Sequence, residues 1–228
     1  MKKIAFFVEG YSEQAFLVKL LEAIFDAKKI AIEPIKMSGG GKCRITITRI
    51  KTPVVDGRVE YYILIYDCGG DNNVKSYIRD QRINLLRAGY LKIIGVRDVY
   101  PFQRSEIEKL KIGLNWRLPQ KDIPIKFILS IMEIEAWFLA EENHYSKIDK
   151  TLDTNLIYNR LNWDPSNYNT ELFDCPSEIL NDVYQLVGIK YVKGDYTIDK
   201  LDYANVYFNV NNRVASLKNL IDEINSIF

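Results

Sequence analysis

Apolar residues fall in short runs over the first two-thirds of the chain, with polar or small residues between them. Lys2–Val8 is a short β-leaning run. Ser12 is placed to cap a helix on which Phe16, Leu17, Leu20, Leu21 and Ile24 repeat at helical spacing. Ile30–Met37 predicts a weaker strand, and Ser38-Gly39-Gly40-Gly41-Lys42 a loop. Val59–Tyr66 (VEYYILIY) predicts the strongest buried strand of the chain. Asn72–Ala88 reads as a helix that Gly89 is placed to end. Lys92–Val99 is a further strand, stopped by Pro101, and Ser105–Trp116 is helical, followed by Pro119. Ile123–Ile131 is a strand interrupted early by Pro124, and Glu133–Glu142 a helix carrying Trp137 and Phe138.

This alternation predicts an α/β fold, a mostly parallel sheet flanked by helices. After about residue 143 the pattern changes. Asn, Asp and Tyr become frequent, and only Pro176–Val187 and Asn211–Phe228 look helical. The expected organisation is an α/β domain over residues 1–142 and a helical elaboration over residues 143–228 packed on it.

Composition narrows the function. No apolar run approaches the roughly 18 residues of a membrane span, and the first run stops at Glu9 with no cleavage site after it. The expectation is a cytoplasmic protein with no membrane partner. Cys43, Cys68 and Cys175 have no metal-type spacing and fit a reducing compartment. A single histidine, His144, excludes most Ser–His and Cys–His catalysis and reads as a surface residue. The net charge of +1 is unevenly spread. Residues 1–128 hold 23 Lys and Arg against 14 Asp and Glu, or +9, and residues 129–228 hold 8 against 16, or −8. A basic front half is the footprint of a phosphate-backbone binder, or ordinary solvated surface.

Ligands of a parallel sheet bind outside the carboxyl ends of its strands. Three predicted strands carry acids there. The first runs into Glu9 and Gly10, with Glu13 beyond. The central one runs into Asp67, Gly69, Gly70 and Asp71. The last runs through Ser130 into Glu133 and Glu135. Carboxylates forced together repel unless a cation neutralises them or one is protonated. Hard oxygen donors without His or Cys point to Mg²⁺ or Mn²⁺. The alternative is that these acids simply favour helix N-termini. Two residues apart on a helix, Glu133 and Glu135 would point about 200° apart, so one of them, Glu133, is the favoured ligand.

Phe7-Val8-Glu9-Gly10 with Glu13 resembles the opening motif of TOPRIM domains, particularly OLD-type nucleases and related bacterial proteins. Ile63-Leu64-Ile65-Tyr66-Asp67 followed by glycines is similar to the second TOPRIM motif, with Gly69 where a second aspartate usually stands. Met132–Ala140 is similar to a segment of TOPRIM-like proteins of bacterial defence loci. The resemblance covers roughly residues 1–142. It implies a metal-dependent nuclease, with Glu9 as metal ligand or general base and Asp67 as metal ligand. Glu13 and Asp71 are secondary ligands, and Ser130, Glu133 and Glu135 are candidates for a second, weaker site that favours Mn²⁺. It also implies nucleic acid as partner, a defence-system ATPase as a candidate protein partner, and a homo-oligomer as an option.

Lys75, Arg79 and Arg82 fall along one predicted helix as a phosphate-tracking stripe or a solvated face. Lys42 and Arg44 flank the glycine run, which could cradle phosphate or serve as a plain loop. Cys68 reads as core packing. Arg97-Asp98 ends a strand in a structural role or near the active edge. Three functions remain open: a nuclease on DNA or RNA, a degenerate TOPRIM module that binds nucleic acid or a protein without cutting, and a nucleotide phosphohydrolase or phosphotransferase.

Overall fold

The computed structural model describes residues 1–40, 43–119 and 121–227, leaving aside the side chains of Gly40, Cys43 and Arg44. It is α/β. Six strands, β1 (Lys2–Val8), β2 (Ile30–Gly40), β3 (Cys43–Arg49), β4 (Tyr61–Asp67), β5 (Lys92–Asp98) and β6 (Ile125–Ser130), form one mostly parallel sheet. Their order is β3-β2-β4-β1-β5-β6. The early helices are α1 (Tyr11–Ile24), α2 (Asp71–Arg87) and α3 (Ile107–Asn115). The later ones are α4 (Glu135–Ala140), α5 (Tyr145–Ile148), α6 (Thr154–Leu161), α7 (Pro176–Gln185), α8 (Asp195–Ile198), α9 (Tyr203–Phe208) and α10 (Ala215–Asn225).

The glycine run departs from expectation. Ser38–Gly40 continues β2, which pairs antiparallel with β3, a strand that the periodicity does not reveal. Thr46, Ile47, Thr48 and Arg49 on β3 are exposed, so this edge strand carries no buried apolar face to read.

The chain divides into two compact units, Met1–Arg97 with Glu108–Ile128, and Asp98–Ile107 with Leu129–Phe228. The division runs through β5 and β6. In the first unit, β1 pairs in parallel with β4 and β5, and β2 with β4. The connection from β1 through α1 skips past β4 to β2. The connection from β4 through α2 skips past β1 to β5. Such crossovers are right-handed, so α1 and α2 cover opposite faces. On one face, buried Val74, Tyr77, Ile78 and Leu85 of α2 pack with Ala5, Phe7, Ile35, Met37 and Leu64. On α1, buried Gln14 donates to the carbonyls of Ile35 (2.9 Å) and Ile65 (2.6 Å), which ties the helix to β2 and β4.

The second unit is built around α4, all six residues of which are buried. Trp137 Nε1 donates to Ser216 Oγ at 2.8 Å, and Thr170 Oγ1 to the Ala136 carbonyl at 2.6 Å. Glu171 accepts from the Ala215 and Ser216 amides at the start of α10, where negative charge suits the helix dipole. His144 is fully buried, contrary to the surface placement expected of it. It lies against Tyr145, with Nδ1 3.5 Å from Glu141 Oε2. Helical content on both sides of it hides this burial in the sequence.

Among the described glycines of the first unit, Gly95 on β5 has the closest neighbours. A Cβ there would stand 2.7 Å from two ring carbons of Phe127 and 3.0 Å from Ile78 Cδ1. Gly95→Ala is therefore expected to destabilise the protein by about 1–3 kcal/mol, measured by urea unfolding. Unchanged stability would mean that the Phe127 ring yields without cost.

Candidate functional site

Two groups of acids emerge, one in each unit. In the first unit, the register pairs Val8 with Asp67, and Cys68 N–H donates to the Val8 carbonyl at 3.0 Å. Gly70 N–H donates to the Glu9 carbonyl at 2.8 Å. Glu9 and Asp67 thus leave adjacent parallel strands at their carboxyl ends. These are the two strands whose following helices depart to opposite faces, and a crevice opens at such a reversal. Asp67 is buried and Glu9 half-buried. Burial pushes the Cys68 thiol far up, and the charges of Asp67 and Glu9 push it further. Both carboxylates are therefore within electrostatic reach of one sulfur, and Cys68 is a buried neutral thiol with no thiolate nucleophile to offer.

The neighbouring acids have other partners. Glu13 Oε2 accepts from Gly10 N–H at 2.9 Å, which closes the first turn of α1. Asp67 Oδ1 accepts from Gly69 N–H at 2.9 Å, and Gly69 holds φ 65°, a left-handed conformation that glycine adopts without strain. Asp71 accepts from Asn72 N–H (2.7 Å) through one oxygen and from buried Arg97 (2.7 Å) through the other. An internal guanidinium thus neutralises Asp71.

The second unit holds the late acids. Ser130 Oγ donates to Asp98 in a short hydrogen bond, both residues being buried. Glu133 accepts from Ser177 N–H (2.9 Å) at the start of α7. Glu135 is fully buried and accepts from the Tyr191 hydroxyl at 2.8 Å. Lys193 Nζ lies 3.5 Å from Glu133 and 3.1 Å from Glu135. Burial alone would lower the Lys193 ammonium, but the charges of Glu135 and Glu133 outweigh it and hold it above the usual lysine value. Both glutamates therefore face one cation, against the expectation that only one could. The reason is local: Met132 takes φ 62° and α4 begins only at Glu135, so Glu133 precedes the helix and the 200° helical offset (about 100° per residue) does not apply. Lys193, Tyr191 and Ser177 are the residues that sequence reasoning missed. They stand far along the chain in a segment without a motif.

The basic residues divide. Arg79 is exposed and pairs with Asp80 at 3.2 Å. Lys75 Nζ donates to the Gly113 carbonyl at 2.6 Å. Arg82 is only 16% exposed, and its buried Nη1 lies 3.9 Å from Asp122 with no hydrogen-bond partner among the described residues. Lys42 lies outside the described residues, as does the side chain of Arg44.

Among the described residues no group of three or more His, Cys, Asp or Glu is placed to hold a metal ion. Mg²⁺ is commonly held by one or two carboxylates plus water and substrate phosphate. The hard oxygens of Glu9 and Asp67 fit that smaller complement. The late acids do not fit a second ion, because the Lys193 ammonium already neutralises them.

Lys193→Met is expected to lower stability by about 1–3 kcal/mol, the cost of unpairing a buried carboxylate discounted for the half-exposed lysine. Adding Glu135→Gln should recover most of the loss in urea unfolding. An additive loss in the double variant would show that the two groups are not coupled. No family model, curated protein or solved structure matches the chain.

Proposed function

We propose that the chain is a TOPRIM-like nuclease that hydrolyses DNA or RNA phosphodiesters with one Mg²⁺ or Mn²⁺ held by Glu9 and Asp67. The observation that carries this reading is the position of the two carboxylates at adjacent strand ends where the crossovers reverse. When bound, the cation supplies Lewis-acid polarisation of the phosphoryl oxygens. Asp67, buried and braced by Gly69 N–H, is a fixed anionic anchor. Glu9, the more exposed of the pair, would take the proton of the attacking water as its oxygen bonds to phosphorus and the ester P–O bond breaks, the leaving oxygen drawing its proton from solvent. Exposed Arg79 and half-buried Lys75 track the backbone phosphates.

Plasmid, single-stranded DNA and tRNA incubated with Mg²⁺, Mn²⁺ or a chelator provide the test. Cleavage should need the divalent ion. Glu9→Gln and Asp67→Asn should each slow it by at least about a hundredfold with the fold retained. A wild-type rate in both variants would remove these residues from the chemistry. Calorimetry should find one divalent ion per chain, since Asp71 is held by Arg97 and the late glutamates by Lys193.

A second reading is a module that binds nucleic acid without cutting it. It is favoured by Gly69 in the place of a second aspartate and by the Arg97–Asp71 pair beside it. Under either reading, replacing Lys75 and Arg79 by Ala should flatten the salt dependence of binding by a slope of about 2. Adding Arg82→Ala should affect stability more than the slope, because that guanidinium is largely buried. A slope that falls equally for all three would place Arg82 on the nucleic acid.

A further inference from the structure

In the first unit, a cavity of about 390 Å³ opens on the sheet face that α2 covers, and none of Glu9, Glu13 or Asp67 lines it. Its wall contains Glu33, which is 4% exposed. One Glu33 oxygen accepts from Arg49 Nε at 2.7 Å and the other from the Tyr62 hydroxyl in a short hydrogen bond. Each carboxylate oxygen keeps lone-pair capacity beyond these bonds.

Tyr66 and Tyr90 line the same cavity at 6% and 8% exposure. Among the described residues neither hydroxyl has a hydrogen-bond partner. Neither hydroxyl oxygen is sealed from solvent, so both are open to the cavity. Two open hydroxyls and a carboxylate that can only accept present a polar wall to a ligand. At the rim stand Arg49, whose side chain is largely exposed, and Lys3, which donates one of its three N–H groups to the Ala88 carbonyl at 3.0 Å.

The partner chemistry follows. The carboxylate requires N–H donors. The hydroxyls can donate to ring acceptors, and the rim cations suit a phosphate. Guanine carries the N1–H and N2–H₂ donors on one edge and the O6 and N7 acceptors on another. Adenine turns a ring acceptor toward such a carboxylate. We propose that this cavity binds a guanine nucleotide, with its donor edge on Glu33, its acceptors on Tyr66 and Tyr90, and its phosphate at Arg49 and Lys3. The site is independent of the Glu9–Asp67 centre and does not rest on nuclease activity.

Calorimetric titration of the full chain with GMP, IMP, AMP and inorganic phosphate tests this. GMP should bind. IMP, which lacks the N2 donors, should bind about tenfold more weakly, and AMP more weakly still. The Tyr66→Phe, Tyr90→Phe double variant should weaken GMP binding by about tenfold with its melting temperature unchanged, because neither hydroxyl serves the fold. No GMP binding up to about 1 mM, equal binding of AMP or IMP, full competition by inorganic phosphate alone, or GMP binding unaltered in the double variant would each overturn the proposal.

Discussion

The parallel pairing of β1 with β4 fixes the geometry on which the first unit depends. Val8 stands opposite Asp67, so two strands end level and release their chains side by side. One chain turns into α1 and the other into α2, and the handedness of the crossovers sends the helices to opposite faces. A crevice opens between two such diverging connections. Acids placed there meet each other across the gap between two strands, spaced by about 4.8 Å in the sheet. A shift of the β1 register by one residue would turn Glu9 to the other face and bury the wrong side of Phe6 and Phe7.

Neutralisation of buried charge takes two forms in this molecule. Arg97 meets Asp71, and Lys193 meets Glu133 and Glu135, so these acids are compensated by cations of the chain itself. Such pairs hold a fixed geometry because removal of either partner strands a charge in low dielectric. Asp67 is braced instead by a backbone amide, that of Gly69.

The sheet was legible because buried parallel strands are continuous apolar runs, and VEYYILIY and KKIAFFV are such runs. Glu9 and Asp67 were legible for the same reason: each is the first acid after an apolar run. β3 was not, because it sits on the sheet edge with Thr46, Ile47, Thr48 and Arg49 exposed, and the glycines before it imitate a loop. The company of Glu133 and Glu135 was not legible either. Lys193 lies almost sixty residues beyond them, roughly a helix-rich stretch away, and long-range pairing of this sort leaves no local period. His144 gave no sign of burial, since its neighbours Asn143 and Ser146 are polar.

The central position of β1 has a consequence for how the chain reaches this structure. β1 is made first, yet both of its neighbours, β4 and β5, follow only after residues 60 and 91. The antiparallel β2–β3 hairpin closes locally and can form long before. During synthesis, which proceeds N-terminal end first at about 5–20 residues per second, the apolar run Ile4–Val8 therefore waits for several seconds without a strand on either side. An apolar central strand is thus left unpaired until β4 emerges, so the nascent first unit carries an aggregation hazard through that interval, and the carboxylate pair comes into being only when the wait ends.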